Sequence, residues 1–157
     1  MKTVAQILKS KSADTVYKVR PSDSVLDALT LMAEARIGAV LVSEDDRTII
    51  GIFTERDYAR KVALMGRTSV TTPVRDVMTS AVRYVSPEQT NEECMSLMTE
   101  HRIRHLPVMK DGELVGLLSI GDLVKAIISE QQFTIDQLEN YIMGGGAALA
   151  TRTPRPN

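Results

Sequence analysis

Apolar positions along this chain recur with two alternating periods. Val25, Ala28, Leu29 and Met32 follow the i, i+3, i+4, i+7 spacing of an amphipathic helix, and Asp23 or Ser24 can cap it. Residues 38–42 read as a buried strand, Glu44 to Arg47 as a polar turn, and residues 48–53 as a second strand. A helix then starts at Thr54 and runs to about Met65. Ahead of these, Val4, Ile7 and Leu8 mark a short helix over 4–9, and residues 16–19 a short strand stopped by Pro21. The order then repeats. Residues 74–78 form a helical turn, 82–85 a strand before Pro87, and 90–100 a helix carrying Cys94, Met95, Leu97 and Met98. Residues 105–109 and 113–118 are strands joined by Asp111-Gly112, a hairpin-turn pair. The last helix begins at Ser119, with a break expected near Phe133, and continues through Ile135, Leu138 and Ile142 until Gly144-Gly-Gly146 ends it.

The two halves match residue by residue. Gly51-Ile-Phe-Thr54-Glu-Arg-Asp57 returns as Gly116-Leu-Leu-Ser119-Ile-Gly-Asp122. Leu31-Met32 returns as Leu97-Met98, and Glu34-Ala-Arg36-Ile37 as Glu100-His-Arg102-Ile103. Pro87 follows Pro21 by 66 residues and Gly116 follows Gly51 by 65, so the second copy has the shorter hairpin loop. Internal repetition dictates architecture. The expectation is an α/β (α+β) fold of two tandem βαββα units, packed through their sheets with pseudo-twofold symmetry. Repeat 1 spans 1–66, a Ser/Thr-rich linker 67–73, repeat 2 74–130, a C-terminal helix 131–143 and a flexible tail 144–157.

Composition narrows the function. The chain has 157 residues, 43% hydrophobic and 25% charged, with no Trp, so Val, Leu, Ile, Ala and Met must make the core. A net charge of −1 offers no field for nucleic acid or an anionic membrane, and neither is expected as a partner. Cys94 is the one cysteine and cannot form an internal disulfide. No apolar run is long enough to span a bilayer, and the amino terminus lacks the plan of a secretory signal. A cytoplasmic, reducing location is expected.

Each Gly-to-Asp motif lies where a strand gives way to a helix. A helix's first turn has free N–H groups and partial positive charge, a seat for phosphate. Thr54 or Ser119 can donate to a phosphate oxygen, and Asp57 or Asp122 can accept from a vicinal diol such as ribose. The same spacing is also a capping box, which satisfies the helix's own amides. Both readings stand. Positive charge gathers at His101-Arg102-Ile-Arg104-His105, where Arg104 and His105 align with Gly38 and Ala39 of the first copy. Arg102 suits a helix C-terminus; Arg104 and His105 suit phosphate contact. His101 and His105 have an i, i+4 spacing but no third ligand, so no metal is expected. Cys94 lies on an apolar helix face as a packing residue. No nucleophile or paired-carboxylate arrangement is present, and no catalysis is expected.

On these residues the doubled unit resembles the CBS (cystathionine-β-synthase-type) domain, and the pair resembles a Bateman module. The features that carry the resemblance are the two Gly-to-Asp motifs, Arg104-His-Leu-Pro-Val108, and the Pro21 and Pro87 openings, over about residues 4–129. The resemblance implies two clefts that bind AMP, ADP, ATP, or sometimes NAD or S-adenosylmethionine. Asp57 and Asp122 would hold ribose, Thr54 and Ser119 phosphate, and Arg104 and His105 the phosphates near the centre. Val16-Tyr17 and Ala81-Val82 would line adenine slots that Ile52 and Leu117 help to close. Arg56 faces Gly121 in the alignment, so its role has no counterpart. The missing basic pair in copy one makes the clefts unequal.

The expected function is that of a stand-alone regulatory module. It binds an adenosine nucleotide, AMP first and NAD or ATP as alternatives, and signals to an unknown protein partner. The alternative is a structural dimerisation module with degenerate clefts. Ile127, Ile128, Phe133, Leu138, Tyr141 and Ile142 on the final helix would supply a homodimer surface.

Overall fold

A computed structural model describes residues 2–11 and 16–145. In repeat 1, helix α1 (Val4–Ser10) leads to strand β1 (Lys18–Val19), helix α2 (Val25–Ala35), strands β2 (Ala39–Val42) and β3 (Gly51–Thr54), and the single turn α3 (Glu55–Asp57). A 3-10 turn (Val74–Asp76) then opens repeat 2, followed by α4 (Asn91–His101), β4 (His105–Lys110), β5 (Glu113–Ser119) and α5 (Ile120–Gly145).

Local chemistry sets the helix starts. Ser24 caps α2 through the Asp27 amide, and Thr90 caps α4 through the Glu93 amide. Both helices end on an arginine in the left-handed region, Arg36 (φ 57) and Arg102 (φ 53). β1 and β2 pair in parallel, β2 and β3 antiparallel. β4 and β5 form a hairpin closed by Asp111 (φ 53) and Gly112 (φ 79), the positive-φ pair that such a turn requires.

Strand alternation divides the core. Val40, Val42 and Phe53 face the helices of their own repeat, whereas Ala39, Leu41 and Ile52 face the other sheet and meet Leu114 and Leu117. The repeats therefore pack through their sheets, with helices outside.

The opening segments cross over. Val4 and Ile7 of α1 are buried with Val85, Leu106, Leu118 and Leu123 of repeat 2, while Val74 and Val77 are buried with Val25, Phe53 and Val62 of repeat 1. Backbone hydrogen bonds repeat this exchange. Val4 N donates to Gln89 O (2.8 Å) as Val74 N donates to Asp23 O (2.8 Å); Ala5 N to Pro87 O as Arg75 N to Pro21 O; Asn91 N to Lys2 O as Val25 N to Thr72 O. These three matched pairs are the pseudo-twofold axis written in hydrogen bonds.

Several elements differ from the sequence expectation. No strand forms over 82–85: Val82 turns in against Ala39, Leu41 and Ile52, and only Val85 joins β4, through Pro107 O and Met109 N. The strand expected over 16–19 begins at Lys18, and the one expected over 48–53 begins at Gly51. The helix after Thr54 makes one α turn and then widens into a π-helix, Tyr58–Ala63, before Gly66 at φ 69. No break occurs at Phe133. α5 runs unbroken to Gly145, helped by bonds from Gln132 Nε2 to Asp136 Oδ1 and from Thr134 Oγ1 to the Glu130 carbonyl. Gly144 is thus helical; the tail expected from there lies, beyond residue 145, outside the described residues.

Candidate functional site

Two cavities open where the repeats meet. The first, about 770 Å³, is lined by Ile52, Thr54, Glu55, Arg56, Asp57 and Thr79 on one side and by residues 101–105 on the other. The second, about 600 Å³, is lined by Leu117 and Ser119 with Lys11, Val16 and Tyr17, and by residues 35–39. Residues 35–39 and 101–105 are equivalent under the repeat. Each cleft therefore joins one repeat's Gly-to-Asp turn to the helix-to-strand passage of the other. Gly38 and His105 border both cavities.

The capping boxes form. Thr54 Oγ1 accepts from Asp57 N (3.1 Å), and Asp57 Oδ2 accepts from Thr54 N (3.1 Å) and Oγ1 (3.2 Å). Asp57 Oδ1 accepts from Thr79 Oγ1 (3.0 Å) and pairs with Lys61 Nζ (3.1 Å). Four donors thus occupy a carboxylate that is 7% exposed. Asp122 Oδ2 accepts from Ser119 N (2.8 Å) and pairs with Lys11 Nζ (3.0 Å), while the Ser119 hydroxyl accepts from Asp122 N (3.2 Å). Its Oδ1 has no partner among the described residues. Burial raises the Asp122 carboxyl, and the Ser119 amide and Lys11 ammonium more than offset that, leaving it below its ordinary value.

The crossed segments supply groups that the motif alone does not show. Lys11 follows α1 and also donates to the Leu117 carbonyl (2.8 Å). Thr79 follows the 3-10 turn and reaches Asp57. The same segments explain the motif glycines. A Cβ on Gly51 would stand 3.0 Å from Met78 Cγ and closer still to its sulfur; one on Gly116 would stand 2.8 Å from Leu8 Cδ2. Leu8 and Met78 hold equivalent places, so each Gly leaves room for the opening segment of the neighbouring repeat.

The basic pair lines the first cleft, where Arg104 is exposed and His105 half-buried. Burial lowers the His105 imidazole below its ordinary 6.5, and Asp122 only partly opposes that. Arg56 donates to the Arg102 carbonyl (3.0 Å), a tie between repeats that Gly121 cannot make. Glu55 and Arg36 also line the clefts, though the motif reading did not select them. Their signal was weak: Arg36 is one of a repeated Arg-Ile pair, and Glu55 faces Ile120 in the alignment. Ala81 is exposed, and neither it nor Val82 lines either cleft; Asp122 borders a smaller cavity beside the second. Cys94 is buried, which pushes its thiol up to about 11 and suits packing rather than reactivity.

Two intertwined repeats, βαββα in the first and lacking the opening strand in the second, with a cleft at each strand-to-helix turn, define a tandem-repeat α+β module with inter-repeat clefts. The CBS-domain family profile matches residues 4–64 and 74–129, and the chain belongs to the CBS-domain family. It is 40% identical over 150 residues to the mitochondrial CBS domain-containing protein CBSX3 of Arabidopsis thaliana, covering 91% of this chain and 73% of that protein. A solved CBS-domain structure from Burkholderia ambifaria, assigned by name to signal transduction, is 60% identical with a TM-score of 0.80; the match covers 85% of this chain and 99% of that one. The hexameric CBS-CP12 protein of bloom-forming cyanobacteria is 25% identical with a TM-score of 0.70, over 94% of this chain and 91% of that one. By name these relatives are CBS-domain proteins, and the one from Burkholderia ambifaria is a signal-transduction protein. Among the described residues no His, Cys, Asp and Glu side chains cluster as a metal site, and no helix is long and apolar enough to cross a membrane.

Proposed function

We propose that the protein is a stand-alone regulatory module that binds adenosine nucleotides in the clefts between its CBS repeats. AMP is the first candidate, with NAD or ATP as alternatives. Occupancy passes to a partner protein through a change of conformation or assembly. One observation carries the reading: both repeats build both clefts, and each cleft reaches a helix's first turn through a Ser or Thr. A ligand bound there favours one relative setting of the repeats, and only such differential affinity can transmit a signal.

In this reading Asp57 and Asp122 are the ribose seats; Asp57 lines its cleft, and Asp122 borders the smaller cavity beside the second. Arg104 and His105 meet phosphate in the Asp57 cleft. Exposed Leu138, Tyr141 and Ile142 on α5 favour self-association as a homodimer; sedimentation that finds only monomer would remove that part. A reducing compartment, whether cytoplasm or an organelle, suits the unpaired Cys94.

A second reading has its own support. Both capping boxes are closed, and Asp57 is saturated by internal donors, as suits a structural association module with degenerate clefts. Thermal melting with AMP, ATP, NAD and S-adenosylmethionine separates the two. A true ligand at about 100 times its dissociation constant stabilises by roughly 2.7 kcal/mol. Unchanged melting across the panel favours the structural module.

A further inference from the structure

A third cavity, about 300 Å³, lies beside the second cleft, which shares Lys11 with it, between α1 and the first turns of α5. Lys2, Lys11 and Lys125 line it, with Ser129; Asp122 is the one acid there. Lys11 is held by Asp122 and the Leu117 carbonyl. Lys2 and Lys125 have no ion pair among the described residues. The surplus charge around this space is therefore positive.

A specific difference between the repeats opens the space. Lys61 of repeat 1 pairs with Asp57 Oδ1. The residue equivalent to Lys61, 65 positions on, is Ala126, which is 6% exposed and ends at its methyl. Asp122 takes its cation from α1 instead, and the volume that Lys61 fills in one copy stays open in the other.

We propose that this cavity binds a phosphate group beside the second cleft, through Lys2 and Lys125, which line neither cleft, clamping α1 to α5. Two uncommitted ammonium groups, each with three donors, suit a multiply charged oxyanion, and the Ser129 hydroxyl adds a further donor. The volume is at the lower end of small-molecule sites and suits phosphate or pyrophosphate better than a whole nucleotide. Such an anion bridges the segment exchanged between repeats to the long helix that leaves the core.

Calorimetric titration of the whole protein with inorganic phosphate, pyrophosphate and AMP tests this. Pyrophosphate binds once per chain, and affinity falls by about tenfold or more in the Lys2→Ala/Lys125→Ala variant, whose changes lie outside the clefts. Ala126→Leu, which fills the space, removes binding, while its thermal melt reports whether the fold survives. Competition by AMP identifies the phosphate as a nucleotide's; its absence identifies a free anion; both agree with the site. No saturable anion binding, undiminished binding in the double-lysine variant, or loss on Arg104→Ala instead would overturn it.

Discussion

Lys11 holds its ammonium 3.0 Å from Asp122 Oδ2, although the two residues open and close the doubled unit. The pair forms because α1 packs on the repeat that follows its own. Asp57, in turn, takes Thr79 from the segment that opens repeat 2. Each motif acid is thus fastened by a segment exchanged across the pseudo-twofold axis.

Replacing Lys11 by Met leaves Asp122 half-buried with one donor fewer. The pair is partly exposed, at 28% and 16%, so the expected loss is only about 1 kcal/mol. The Asp122 carboxyl is depressed in the folded state. Its contribution is present above the unfolded carboxylate value and lost as pH falls through the folded one. Lys11→Met therefore raises the Asp122 titration by NMR and shrinks the difference in denaturation midpoint between neutral and acid pH.

Gly51→Ala and Gly116→Ala both force the crossed segments outward. Overpacking of this kind costs roughly 1–3 kcal/mol. Gly51→Ala is expected to cost more, because its Cβ meets Met78 at the sulfur in mid-chain whereas Leu8 offers the ends of its side chain. Urea denaturation of the two variants measures the order.

His105 carries a second pH dependence. Its folded imidazole titrates below 6.5, so the neutral form is the one the fold prefers. That stability is complete above the unfolded value and is lost as pH falls from about 6.5 toward the folded value. His105→Gln is expected to flatten this part of the stability–pH curve. A bound phosphate favours the imidazolium, so nucleotide is expected to raise the His105 titration seen by NMR.

Asp57→Ala and Asp122→Ala are expected to differ. Asp57 accepts from four donors and Asp122 Oδ2 from two, so the first variant loses about 1–2 kcal/mol and the second about 1. Both remain folded. Each weakens nucleotide binding at one cleft, and calorimetry of the two variants reads stability and site loss separately.

Much of the fold is legible in local chemistry. Ser24, Thr54 and Thr90 cap the helices they precede, and Asp111-Gly112 closes its hairpin, because caps and turns are decided within a few residues. Val4 and Ile7 announce an apolar helix face, but nothing in their spacing says which repeat buries it. For that reason the exchange of opening segments was not legible. Nor were the space that Leu8 and Met78 demand at Gly116 and Gly51, or the arrival of Lys11 and Thr79 at the motif acids. Val82 to Val85 has strand-forming residues, yet central packing of Val82 outweighs that preference. At the site, repetition marked Thr54, Asp57, Ser119 and Asp122, and the break in repetition marked Arg104 and His105. Glu55 and Arg36 depend on which faces meet, which only tertiary packing decides.

Adenosine nucleotides are the proposed occupants of the inter-repeat clefts. Isothermal titration of the unmodified protein with AMP, alongside Asp57→Ala/Asp122→Ala, tests this most directly. Saturable binding of one or two nucleotides per chain is expected, with the double variant losing it while still melting cooperatively. Absence of heat with AMP, ATP and NAD alike, or binding unaltered in the double variant, would contradict the proposal.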